Sequence, residues 1–101
     1  MILYNITVII EDKIETDWLK FINHTFVPDA LSSNLLISNR ILRVIDSPNE
    51  GVTYCLQFIA DNLENYNQFK DVYASQLFDA HASKFKDHAV FFSTLMEFIN
   101  E

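Results

Sequence analysis

The sequence predicts an α+β protein in which two helices lie on one face of a four-stranded antiparallel sheet. Two observations support this fold class. Four segments carry apolar residues at alternate positions, whereas two others carry them every three or four residues. Clusters of turn-forming residues separate these segments. The chain has 101 residues, which suits one domain with one modest core, so we expect a single domain over residues 1–101.

The first strand, predicted over residues 2–11, is the element around which the others are arranged. Its even-numbered residues are all apolar, and its odd-numbered face carries Asn5 and Thr7 between Leu3 and Ile9. Successive side chains of a strand point to opposite faces, so both faces of this strand need to be shielded from water. The pattern therefore indicates a central strand.

A helix is predicted after the first strand. Apolar side chains recur at four-residue intervals, at Ile14, Trp18, Ile22 and Phe26. Trp18 shares the register of this stripe, which predicts a core anchor. Pro28 is expected to end the helix, because proline has no N–H and disfavours a helical conformation in the preceding residue. A short turn through residues 29–34 should follow.

The second and third strands are predicted to form a hairpin. Residues 35–46 have two mixed faces, which is typical of an edge strand. Turn-forming residues, Asn49 among them, fill positions 46–51. The third strand, residues 52–60, again has one apolar face. Its other face carries Thr53, Cys55, Gln57 and Ile59.

The last two elements are a helix and a strand. Asp61 and Glu64 have the spacing of a capping box, and the helix that they introduce follows a 3.6-residue period for about five turns. The last strand is predicted over residues 88–99. Both of its faces are apolar, so the pattern does not decide which of them meets the helices.

This order of elements, strand, helix, strand, strand, helix, strand, predicts the βαββαβ ferredoxin-like plait. Its two helices cover one face of the sheet, and the other face would be a large apolar patch on a monomer. We therefore expect a homodimer in which two open faces pack together as a dimeric α+β barrel, burying on the order of 2,000 Å². Pairing of edge strands from two sheets is the alternative dimer.

Composition argues against several partners. Lysine and arginine number 7 against 14 acidic residues, for a formal charge of −7, and such a surface repels nucleic acid and anionic membranes. The only glycine, Gly51, cannot build a glycine-rich phosphate loop, and a single cysteine forms no intramolecular disulfide. Because no signal peptide or membrane-spanning stretch is evident, we expect a cytoplasmic protein.

Four neutral polar residues are the candidate ligand-binding residues. They share the open face of two strands that are neighbours in this plait: Asn5, Thr7, Thr53 and Gln57. Between two sheets these side chains would orient a small neutral ligand, but alone they cannot transfer protons. The alternative is that they hydrogen-bond one another or trapped water.

The histidines and the cysteine are the remaining residues with chemical potential. No two of His24, His81 and His88 have the spacing of a metal motif on one helix. We expect packing or surface roles for the three histidines, and His81 follows the buried stripe of the second helix. We expect the protein to bind neither a metal nor a cofactor. Cys55 lies in mid-strand with no cation beside it in sequence, so we expect it to be inert. No catalytic residue is predicted.

Several short motifs occur in a fixed order along the chain. They are Tyr4-Asn5-Ile6-Thr7, Trp18-Leu19 with Pro28, Thr53-Tyr54 with Gln57, Ala74 with Leu77 and His81, and Thr94-Leu95. Together they resemble a bacterial family of small domains of unknown function. The resemblance covers nearly the whole chain and implies a ferredoxin-like fold of the dimeric α+β barrel kind, without an established activity.

The chain departs from this family pattern at three positions. The pattern commonly has two histidines and an arginine where this sequence has Phe26, Tyr73 and Ser93. These departures lower the expectation of catalysis. The leading hypothesis is thus a homodimeric binding or regulatory module. A cofactor-independent monooxygenase or isomerase is the second hypothesis, by analogy of fold alone, and a protein-protein adaptor is the third.

Overall fold

A computed structural model of the chain describes residues 1–48 and 50–100, so Asn49 of the predicted hairpin turn lies outside the described residues. The strands are β1 (Ile2–Ile10), β2 (Ser38–Arg43), β3 (Val52–Ala60) and β4 (Ala89–Glu97). The α-helical segments are α1 (Glu15–Phe21), α2 (Val27–Leu31), α3 (Leu63–Phe69) and α4 (Ser75–Phe85). In the described part of the chain, no helix combines the length and the apolar character needed to cross a bilayer.

Two long helical runs are formed from these segments. A π-helical turn, Ile22–Phe26, joins α1 to α2, and a second one, Lys70–Ala74, joins α3 to α4. A single 3₁₀ turn, Asp12–Ile14, connects β1 to the first run. The runs therefore extend over residues 15–31 and 63–85, which agrees with the two predicted helices except at their ends.

The strands form one antiparallel sheet in the order β2-β3-β1-β4, which confirms the predicted ferredoxin-like plait. β1 pairs along its whole length with β3 on one side and with β4 on the other. The even-numbered residues of β1 and β3 point toward the helices and are all buried. β1 is thus central, as the alternating pattern predicted, and β2 is an edge strand.

Pro28 does not end the first helical run, so that prediction was wrong. The backbone N–H of Val27 donates to the carbonyl of Ile22, five residues earlier, at the end of the π-helical turn. Pro28 follows in the first turn of α2, where hydrogen bonding returns to the α pattern and a proline without an N–H is tolerated. The run ends instead near Asn34, whose φ of 62° reverses the chain.

Three predicted boundaries also differ from the structure. β2 is shorter than residues 35–46, because Leu36 turns into the core, where it is 1% exposed. β4 occupies Ala89–Glu97, a shorter span than the predicted residues 88–99. Asn62, and not Asp61, caps the second helical run, since its Oδ1 accepts a hydrogen bond of 2.8 Å from the N–H of Asn65.

A buried tryptophan and histidine join the two helical runs. Trp18 is fully buried, as predicted for a core anchor, and its Nε1–H donates to Nε2 of His81 over 3.0 Å. His81 is 7% exposed and is surrounded by aromatic rings that include Phe21 and Phe85. Burial lowers the pKa of His81, because an apolar surrounding disfavours the charged ring. The histidine is therefore part of the core.

The first prediction concerns the titration of His81. Because its pKa lies below the usual 6.5 in the folded state, the unfolded state binds the extra proton more readily. Stability should therefore decrease as the pH falls through about 6.5 toward 5. His81→Gln should flatten this part of the profile, since glutamine does not titrate there and its carbonyl can accept from Trp18. Urea unfolding at a series of pH values measures the effect.

The matched control for this titration is His24→Gln, because His24 is exposed on the first π-helical turn. It should keep the wild-type pH dependence of the free energy of unfolding. Equal slopes for wild type and His81→Gln between about pH 6.5 and 5 would show that the buried histidine does not govern this dependence.

The second prediction concerns Gly51, which precedes β3 with a φ of +85°. A Cβ atom at this position would lie 2.3 Å from the carbonyl oxygen of Ile10. Gly51→Ala should lower the free energy of unfolding by roughly 2 kcal/mol or more, since strained backbone alone costs about 1–3 kcal/mol. Urea unfolding measures this loss. Glu50→Ala, an exposed neighbour, should change stability by less than about 0.5 kcal/mol.

Candidate functional site

The face of the sheet that points away from the helices is the candidate functional site, and we call it the open face. Strand register assigns to it the odd-numbered residues of β1 and β3 and the even-numbered residues of β2 and β4. The four candidate ligand-binding residues all belong to this face. Their proximity, however, differs from one residue to the next.

One row of residues across the open face is polar in every strand. Arg40 of β2 lies opposite Gln57 of β3, Gln57 lies opposite Asn5 of β1, and Asn5 lies opposite Thr94 of β4. We call these four residues the polar row. Mainly apolar rows flank it, namely Leu42, Cys55, Thr7 and Phe92 on one side and Ser38, Ile59, Leu3 and Met96 on the other.

Hydrogen bonds link the polar row to its surroundings. Nδ2 of Asn5 donates to Oγ1 of Thr7 over 3.0 Å, and Nη2 of Arg40 donates to Oε1 of Gln57 over 3.4 Å. Oγ1 of Thr7 lies 3.8 Å from Sγ of Cys55. Three of the candidate residues, Asn5, Thr7 and Gln57, are thus neighbours within one polar cluster.

The side-chain carbonyl of Asn5 has no hydrogen-bond partner among the described residues, although it is buried. Asn5 as a whole is only 8% exposed. A buried acceptor without a partner costs about 1–3 kcal/mol relative to a satisfied one. The centre of the polar row therefore holds an acceptor whose hydrogen bond the described residues do not supply.

Thr53 lies apart from the other three candidates. It is opposite Ile9, near the start of β3, and its hydroxyl lies 3.0 Å from that of Ser47 in the preceding loop. This hydrogen bond gives Thr53 a partner within the chain. Thr53 shares the open face with the polar row but is not part of it.

The most exposed apolar side chains of the open face lie on its edge strands. Val90, Phe92 and Met96 of β4 are 64%, 58% and 41% exposed, and Leu42 of β2 is 43% exposed. Apolar residues of β1 and β3 on this face are half-buried instead, because neighbouring strands shield them on both sides. The exposed apolar surface is therefore concentrated on β4, whereas the sequence predicted an apolar patch over the whole open face.

The histidines do not contribute to the polar row. His88 hydrogen-bonds Glu11 over 3.1 Å beside a cleft of about 700 Å³ at one end of the sheet, and this bond lowers the pKa of the Glu11 carboxyl. His81 faces the helix side. Within residues 1–48 and 50–100, no group of three histidine, cysteine or acidic side chains is arranged to hold a metal ion.

A second, much smaller space lies on the helix side of the sheet. Phe26, Phe78, His81 and Phe91 are among its lining residues, and its volume of about 10 Å³ is close to the minimum for one water molecule. Phe26 and Ser93, two of the departures from the family pattern, lie on this side, with Ser93 opposite Ile6. These positions are thus separated from the polar row by the sheet itself.

Sequence reasoning missed Arg40 and Thr94 as members of the polar row. Arg40 belongs to a strand whose two faces are both mixed, and Thr94 belongs to one whose faces are both mainly apolar. The available signal was the strand register, which places each of them beside a predicted residue. Register cannot be read from these strands alone, because neither presents one clean face.

Solved structures share the fold of this chain at low sequence identity. A Bacillus halodurans protein of the ethyl tert-butyl ether D (EthD) family aligns with a TM-score of 0.68 and 16% identity, over 98% of this chain and 100% of its own. A candidate antibiotic biosynthesis monooxygenase from Deinococcus radiodurans gives 0.71 and 11%, over 100% and 95%. A dimeric ferredoxin-like protein from an uncultured marine organism gives 0.68 and 13%, over 99% and 95%.

These likenesses establish the ferredoxin-like fold and nothing finer, because the identities are low. No curated protein matches the sequence of this chain significantly. The model of one family, described as a domain of unknown function (DUF4286), matches residues 1–99. The chain therefore belongs to the DUF4286 family.

Proposed function

We propose that this chain is a cytoplasmic homodimeric module that binds small molecules between the open faces of two copies. The observation that carries the proposal is the buried, unpartnered carbonyl of Asn5 in the middle of the polar row. Such a group is expected to receive a hydrogen bond in the functional state. A ligand held between two sheets would supply it.

A second copy is the occupant that best explains the exposed apolar residues. Phe92 and Val90 are more than half exposed, and large apolar patches on soluble proteins commonly mark interaction sites. In a two-fold dimer the same patch meets itself, so a single apolar face is sufficient to form the interface. A dimeric ferredoxin-like protein among the structural neighbours gives dimerisation a precedent in the fold.

The polar row supports a ligand rather than a dry interface. If two open faces packed together, Gln57, Asn5 and Thr94 would be removed from water at the centre of each sheet. Burial of such groups without partners is costly, and the flanking rows offer polar side chains only at Thr7 and Ser38. A small molecule with a hydrogen-bond donor for Asn5 and an apolar body for the flanking rows would satisfy both requirements.

An enzyme of the cofactor-independent monooxygenase kind is the second candidate function. A structural neighbour is a candidate monooxygenase. In this chain the buried His81, whose pKa is lowered by burial, lies beside the small helix-side cavity. This cavity is too small for an organic substrate, since about 10 Å³ accommodates one water at most. The polar row is composed of amides, a hydroxyl and a guanidinium, none of which readily accepts a proton near neutral pH. Binding is therefore the better supported function.

The third prediction tests the interface. Phe92→Glu places a charge within the proposed contact and should raise the dimer dissociation constant at least about 100-fold, because an unpaired buried charge costs several kcal/mol. Sedimentation equilibrium measures this change. Val72→Glu is the matched control, since Val72 is also 58% exposed but lies on the second π-helical turn. It should leave the dimer intact.

A monomeric wild type at micromolar concentration would contradict the homodimer directly. Equal dissociation constants for Phe92→Glu and wild type would instead place the interface elsewhere, for example along the edge strands. If a different protein covers the open face, as the adaptor hypothesis holds, the wild type should remain a monomer until that partner is added.

The fourth prediction tests the ligand. Native mass spectrometry of the purified dimer should detect a small bound molecule, and its occupancy should fall in Asn5→Leu and in Gln57→Leu. Loss of one or two hydrogen bonds to a ligand corresponds to roughly a tenfold loss of affinity. Gln68→Leu, on the exposed side of α3, should retain the wild-type occupancy. Unchanged occupancy in both open-face variants would remove these side chains from the binding site.

A further inference from the structure

We infer that the ligand bound between the two open faces is a small organic acid that also carries a hydrogen-bond donor, and that Arg40 binds its carboxylate while the donor serves the carbonyl of Asn5. This inference rests on the proposed homodimer and specifies the chemical class of its ligand. It replaces the small neutral ligand expected from Asn5, Thr7, Thr53 and Gln57 alone. The reason is the charge of the polar row, which becomes evident only once the strand register is known.

Among the strand residues assigned to the open face, Arg40 is the only one with a charged side chain. Its hydrogen bond to the carbonyl of Gln57 gives it a neutral partner and no counter-charge. Arg43, three residues later on the same strand, points to the other face and lies 3.6 Å from the carboxylate of Glu15. The two arginines thus differ, because Arg43 has an ion-pair partner among the described residues and Arg40 has none there.

A second copy paired through the same face would bring no strand carboxylate to Arg40. The residues of the four strands on this face include none, so dimerisation would bring two Arg40 guanidinium groups into one interface. Charges removed from water require a counter-charge or an extensive set of hydrogen bonds. An anion bound with the dimer would satisfy this requirement.

The neighbouring groups favour a carboxylate on an apolar body. A guanidinium binds carboxylate through two parallel hydrogen bonds, and the amide N–H groups of Gln57 can donate to the same anion. The rows on either side of the polar row present Phe92, Leu3 and Met96, which would contact hydrocarbon. One arginine per chain also matches the single charge of a carboxylate.

The test uses two acids and their uncharged amides as probes. 8-Hydroxyoctanoate and 8-hydroxyoctanamide, and 3-hydroxybenzoate and 3-hydroxybenzamide, are each added to the full chain at constant ionic strength, and sedimentation equilibrium gives the dimer dissociation constant. We expect at least one acid to lower this constant tenfold or more, while its amide changes it by less than twofold. Arg40→Gln should abolish the response to the acid.

Arg43→Gln is the matched control, because it removes the same charge from the same strand on the opposite face. It should keep the wild-type response to the acid. Arg40 and Arg43 are both exposed, so both variants should fold, and circular dichroism verifies this.

Four results would overturn the inference. An acid and its amide could act equally, or neither acid could act, which would show that the site does not recognise a carboxylate. Arg40→Gln could respond as the wild type does, which would assign the anion to another residue. Arg40→Gln could also weaken the dimer with no probe present, which would show that Arg40 binds the partner copy. A wild type that stays monomeric under all conditions contradicts the homodimer itself, and that outcome is distinct from a dimer that ignores the acids.

Discussion

The structure depends on one constraint, namely that β1 is apolar on both faces and is paired with another strand along both edges. Its even-numbered side chains can only be shielded by the helices, and Trp18 and Ile22 of the first run are fully buried on that side. The helices cannot reach its other face. A central strand of this kind therefore requires the helices to pack on one face of the sheet. It also leaves the other face uncovered by the chain itself.

The sheet is also asymmetric about β1, and this asymmetry gives β4 its particular exposure. β3 is flanked by β2, but β4 has a free edge, and even its helix-facing residues Phe91 and Leu95 are 47% and 41% exposed. Edge strands in monomeric proteins are usually protected by charges or prolines, whereas β4 is uncharged up to Glu97. Both the open face and the free edge of β4 thus present exposed apolar side chains to a partner.

The sequence was sufficient to predict the order of the elements and the face to which each side chain of β1 and β3 points, because strict alternation leaves one arrangement. It was not sufficient for features that depend on exact backbone geometry. Pro28 is accommodated by a π-helical turn, which the spacing of apolar residues does not predict. Asn62 rather than Asp61 caps the second helical run, although asparagine and aspartate are both good caps. The site was therefore predicted only in part. Alternation along β1 and β3 places Asn5 and Gln57 on the open face, whereas Arg40 and Thr94 can be placed beside them only when the strand register is known.

The sheet separates two regions that could bind a ligand, namely the small cavity on the helix side and the open face. The two regions differ in polarity. On the helix side, Phe26 and Phe91 line a space for one water, and His81 has its Nε2 occupied by Trp18. On the open face, among the described residues, the buried carbonyl of Asn5 has no donor, and the exposed Arg40 has a neutral partner but no carboxylate. A buried acceptor without a partner is costly in a small domain, and its position on the face that the helices leave uncovered is the reason for proposing that covering the face and binding a ligand occur together.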